Sequence, residues 1–222
     1  MVFEFFKRGE STIDVVEATL VQMVLDGRDV YDTAMEALFG GGKSKETKQE
    51  LKETDRGINT AQQDVRRDLM LHASVSDTVD LPLVLAYMST VKDVERIGDY
   101  SKNFYELVKY GADFEDAPDH ELLADYRDRV SALLGDAAET FKERDEERAR
   151  HLITKADSFL DEYDAQVKAA SRSTGPASDA VARALYFRFL KRITAHVMNF
   201  LTSIVLPVDR LDYYDEAKDD RE

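Results

Sequence analysis

Apolar residues recur at three- and four-residue intervals along nearly the whole chain. Ile13, Val16, Leu20, Met23, Val24, Val30, Ala34 and Leu38 form the first run, which is the spacing of one buried stripe on an α-helix. Ser11 or Thr12 can cap this helix, which is predicted to reach about Phe39 and to stop at Gly40-Gly41-Gly42. A second helix is predicted over 44–71, polar at first and then carrying Leu51, Ile58, Ala61, Val65 and Leu69. After the turn Ser74-Val75-Ser76-Asp77, Asp80 caps a third helix that runs to Gly111. Pro82 falls in its first turn, where a missing N–H is harmless.

The pattern then restarts. Gly111 to Pro118 is acidic, with a glycine at one end and a proline at the other, and is the best internal boundary. A helix over 120–143 carries Leu123, Tyr126, Val130, Leu133, Leu134 and Ala137. A break near Asp145 leads into a helix through about Ala170, and 171–176 reads as a loop. A last helix covers about 178–206 and stops at Pro207. No period-two alternation is sustained anywhere. The chain therefore reads as all-α, six long helices in two sets of three, divided into 1–112 and 113–222.

The two sets also repeat in sequence. Asp55-x-x-x-Asn59 returns 102 positions later as Asp157-x-x-x-Asp161. Arg96-Ile97 returns 96 positions later as Arg192-Ile193, with Asn103 and Phe104 matched by Asn199 and Phe200. Duplication of a three-helix unit is the economical explanation.

Composition narrows the function. The 222 residues hold 30 Lys+Arg against 45 Asp+Glu, a formal net charge of -15. Such a chain is not built for a nucleic acid backbone, which needs clustered positive charge. It fits a cytoplasmic protein, or one that binds cations through carboxylates. The absence of cysteine excludes disulfides, thiolate metal sites and cysteine nucleophiles. With 10 Gly and 4 Pro, long helices are favoured over many turns. Met1 to Arg8 lacks the features of a signal peptide, and its aromatic cluster reads as a core contact rather than a docking element. No apolar run is long enough to span a membrane. The tail from Tyr213 is acidic and expected to fray. Gly42-Lys43-Ser44 looks like the end of a phosphate-binding loop, but Ala37 stands where the first glycine is required and a helix precedes it.

The chemistry gathers on the third helix. Glu95, Asp99 and Asn103 are spaced four apart and form one row. Val84, Met88 and Val91 project in line with Glu95, so the carboxylates border an apolar face and need a cation, a donor or a metal. Gly98 lies between them. Glycine costs about 1 kcal/mol in a helix interior relative to alanine, which predicts a close approach to the backbone there. If the second helix packs beside the third, Asp55 and Asn59 meet Glu95 and Asp99. Three carboxylates and an amide suit a hard cation such as Mg²⁺, Mn²⁺, Ca²⁺ or iron. The plainer alternative is a solvated salt-bridge face, with Arg56 and Arg96 as partners.

The second repeat departs from the first. Lys191 and Ala195 replace Glu95 and Asp99, and Lys191 can neutralise Asp157 or Asp161 in place of a cation. His196 is an isolated polar residue or at most a single ligand. Any metal site is therefore expected in the first repeat more than in the second. Catalysis has little support. His72, His120, His151 and His196 show no metal-ligand spacing, and nucleophile elbows, dinucleotide fingerprints and Glu-x-x-His pairs are missing.

Glu95-Arg96-Ile97-Gly98-Asp99 with Asn103 closely resembles the signature of the PhoU family, regulators of phosphate uptake. Asp55-x-x-Ile58-Asn59 and Asp157-x-x-x-Asp161 resemble the two copies of that family's acidic motif, and the likeness runs from about Ser11 to Val205. The resemblance implies two tandem three-helix bundles in pseudo-twofold relation. It implies metal ions (Mg, Mn, Fe or Zn) at Asp55, Asn59, Glu95, Asp99, Asp157 and Asp161, with Lys191, Thr194 and Ala195 counting against the second cluster. It also implies a non-enzymatic cytoplasmic regulator, in peripheral contact with membrane complexes through the ATP-binding subunit of a phosphate transporter and a sensor histidine kinase. A homodimer is a further expectation, from long helices with apolar edges. The competing readings are a helical adaptor without a metal site and a metal-dependent hydrolase.

Overall fold

The computed structural model describes residues 11–75 and 79–211. The expectations for Met1 to Arg8, for Ser76-Asp77 and for the tail from Tyr213 lie outside them. Six α-helices follow one another: α1 (Thr12–Glu36), α2 (Lys45–Val75), α3 (Leu81–Lys109), α4 (His120–Glu143), α5 (Glu146–Ser171) and α6 (Ala177–Val205). No strand occurs among the described residues.

Side-chain caps set four of the six helix starts. Ser11 and Asp14 form a capping box at the start of α1, satisfying amides that a helix leaves without partners. The Asp80 side chain accepts from the Leu83 amide, and Asp145 from the Arg148 amide at the start of α5. Ser44 accepts from the Thr47 amide, so Lys43-Ser44 begins a helix rather than cradling phosphate. α2 continues four residues past the predicted Leu71.

One end departs from the pattern. Instead of running α-helical to Phe39, α1 gives way at Glu36 to a π-turn over Ala37–Gly41. Phe39 leaves helical geometry, and Gly40 takes φ 108°, which favours glycine. Tertiary contacts draw the chain out of register. The Leu38 carbonyl accepts from the Phe114 amide, and the Phe39 ring packs against Phe114, His120 and Tyr186.

The predicted stripes meet in a core. Helices α1–α3 form one bundle and α4–α6 the other, and α1 against α4 and α3 against α6 join them. Leu20, Leu69, Ile97 and Phe104 are fully buried in the first, and Leu134, Tyr163, Ile193 and Phe200 in the second. The repeat makes the join a pseudo-twofold one. Tyr100 and His196, which the offset of 96 superposes, stack on each other across it at 5.6 Å. The polar contact of Asp93 with His196 is answered by the aromatic contact of Phe189 with Tyr100.

Candidate functional site

Helices α2 and α3 touch where Gly98 was expected to admit a neighbour. A Cβ at Gly98 would lie 2.9 Å from Ile58 Cδ1, so the missing side chain is what lets Ile58 seat. This close crossing brings Asp55 of α2 beside Asp99 of α3. The cation joining them belongs to the chain itself. Lys102 Nζ stands 2.6 Å from Asp55 Oδ1 and 3.0 Å from Asp99 Oδ1. Burial works against the Lys102 ammonium, but the hydrogen bonds to Asp55 and Asp99 outweigh it and hold its pKa above the ordinary value.

The other two expected ligands turn elsewhere. Glu95 is 8% exposed, and its carboxylate faces the preceding turn, where Lys92 Nζ lies 2.6 Å away. Asn59 folds back on its own helix and donates through Nδ2 to the Asp55 carbonyl at 2.9 Å. Among the described residues no three or more His, Asp or Glu side chains are grouped to hold a metal ion. Divalent cations take carboxylate oxygens at short range and fill the rest of their shell with water; here the Asp55 and Asp99 oxygens face Lys102 Nζ. Arg56 and Arg96, the partners expected for a salt-bridge face, are exposed, and the two lysines take that role. Arg96, Lys102 and Asn103 line a shallow depression of about 270 Å³ beside the row, together with Asp99 and Tyr100.

In the second repeat, Asp157 is half-buried and Asp161 exposed on α5. The α6 positions facing a cluster there are Lys191 and Ala195, and Lys191 Nζ pairs with Asp164. His196 serves the bundle join instead. Its Nδ1 lies 2.8 Å from Asp93 Oδ1, and Asn199 Nδ2 donates to the same oxygen at 3.1 Å. Sequence reasoning missed Lys92 and Lys102, although each stands three residues from a carboxylate on the same helix, the spacing of neighbours. Asp93 carried no signal of its own, because only the docking of the two bundles gives it partners.

The fold and the acidic row together define an all-helical protein of two three-helix repeats with charged motifs where α2 meets α3. Residues 20–108 match the family model described as the PhoU domain. The PhoU homologue of the phosphate-specific transport system in Synechocystis sp. is 28% identical over 152 residues, covering 67% of this chain and 66% of that protein. The crystal structure of PhoU from Streptococcus pneumoniae superposes with a TM-score of 0.75 at 19% identity, over 89% of this chain and 93% of that one. PhoU from Pseudomonas aeruginosa gives 0.74 at 20% identity, over 90% and 96%. The chain is thus similar to PhoU proteins in fold, and over residues 20–108 in sequence, the likeness that the Glu-Arg-Ile-Gly-Asp run implied.

Proposed function

We propose that the chain regulates phosphate transport by docking on a membrane-bound transporter, at its ATP-binding subunit, and on the associated sensor kinase. The PhoU-domain match over residues 20–108 carries the reading. The similar Synechocystis protein is described as an accessory protein of the phosphate-specific transport system, and the similar Streptococcus protein as a phosphate transport system regulatory protein. Among the described residues no helix is long and apolar enough to cross a membrane, and the docking proposed here is peripheral, on the cytoplasmic side. The chain acts by contact rather than by catalysis in this reading, in keeping with the description of those similar proteins as accessory and regulatory.

The end of the first bundle offers a docking surface. Met70, Leu71 and Val75 at the end of α2 and Leu81 and Leu85 at the start of α3 are all exposed, Val75 by 78%. Large apolar side chains grouped at one tip mark interaction sites more often than bare surface does. Deletion of the gene is expected to derepress phosphate-responsive transcription, and Val75→Asp/Leu85→Asp to reproduce that phenotype while the protein stays folded and loses co-purification with the ATP-binding subunit. A deletion strain with unchanged phosphate uptake and normal transcription would refute the reading.

A further inference from the structure

We propose that Lys102 is the built-in cation of the acidic row, and that its ammonium closes the position between Asp55 and Asp99 to a divalent metal ion. The inference stands on side-chain positions and is independent of the docking reading above. Two carboxylates drawn together at a helix crossing repel each other unless a positive charge lies between them. Here the positive charge comes from within the same helix, one turn beyond Asp99, and lies within hydrogen-bonding distance of both partners. The Lys102 side chain is one third exposed and that of Asp55 one fifth, so the pair is partly shielded from the screening that makes surface ion pairs weak.

Three further features work the same way. Lys92 draws the Glu95 carboxylate toward the preceding turn. Asn59 is tied back to its own helix by the bond from Nδ2 to the Asp55 carbonyl, which limits where its Oδ1 can reach. Arg96 adds a second positive charge to the wall of the adjoining depression. A metal ion arriving at this place must displace an ammonium tethered to the site, and its apparent affinity falls by the fraction of time that Lys102 is away. The row is then a structural clasp between α2 and α3, fixed by one residue whose spacing makes it part of the motif's own face.

The test is Mn²⁺ binding by the full chain, followed by electron paramagnetic resonance and by thermal melting with and without the ion. The native chain is expected to leave Mn²⁺ free and to melt at an unchanged temperature. Lys102→Met removes the ammonium and keeps the length of the side chain. It should bind Mn²⁺ at least about tenfold more tightly and melt higher when the ion is added, because a ligand that binds only the folded state stabilises it. Adding Asp55→Asn and Asp99→Asn should erase both effects. Lys102→Gln serves if the methionine variant does not fold. Tight binding by the native chain that disappears in Asp55→Asn/Asp99→Asn would overturn the proposal. So would a folded Lys102 variant that binds no better than the native chain.

Discussion

Gly98 and Lys102 lie four residues apart and make the acidic row what it is. Gly98 gives up helix propensity so that Ile58, 1% exposed, can rest on the α3 backbone. Gly98→Ala should therefore carry two opposed effects. The helix gains about 1 kcal/mol of propensity, while the new methyl meets Ile58 Cδ1 in a filled core, where overpacking costs roughly 1–3 kcal/mol. The net is expected to be a loss. Ile58→Val removes the colliding methyl, so the double variant should be more stable than the sum of the singles by about 1 kcal/mol or more. Urea unfolding of the four proteins measures this coupling, and additivity within error would show that Ile58 is not the obstacle. A lone carboxylate row can be read in the sequence, and so can a lysine three residues away. Which cation the row selects depends on how close α2 comes, which a one-dimensional spacing does not contain.

At the scale of elements, caps agree with the structure better than stripes do at the ends. The stripe of α1 continues to Leu38, yet the α-helix ends at Glu36, because Phe39 is claimed by Phe114 and His120 from beyond the bundle boundary. The start of α5 shows the opposite case. Arg144 closes α4 in the left-handed region at φ 53°, and Asp145 at once opens α5 by accepting the Arg148 amide at 2.9 Å. The Arg144 side chain reaches Glu17 of α1, which also accepts from the Tyr87 hydroxyl of α3, so this corner ties both bundles together. Asp145→Ala is expected to cost about 1 kcal/mol through the lost cap, seen as a lower midpoint in urea with an unchanged slope. A midpoint within error of the native value would mean that packing around Glu17 fixes the corner without the cap.

Charge acts at the scale of the whole molecule. A net charge of -15 opposes compaction through self-repulsion, and some of it is concentrated. Burial, with Asp26 and Asp32 adding to it, pushes the Asp29 carboxyl up, and burial with Asp64 does the same for Asp68. Salt shortens the reach of such repulsion to about 3 Å at 1 M. The melting temperature is therefore expected to rise between low and molar NaCl by roughly 2–4 °C, on the order of 1 kcal/mol for a chain of this size. A flat or falling melting temperature would mean that attractive pairs such as Arg183 with Asp119 outweigh the excess acid.

The sequence by itself determined the helices, their order, their duplication and the faces they bury. Each of these rests on local periodicity, on caps within a few residues, or on likeness between the halves. It also marked a close approach to the α3 backbone at Gly98, which the structure shows to be the crossing of α2. Only the tertiary structure decided what that crossing holds. Asp55 lies 47 residues from Lys102 in the chain, and their contact at 2.6 Å depends on the depth at which Ile58 seats. The polar join of Asp93 with His196 and Asn199 spans more than 100 residues and follows from the angle at which two duplicated bundles meet. Helical periodicity fixes which residues share a face, and packing of one face on another fixes which charges meet.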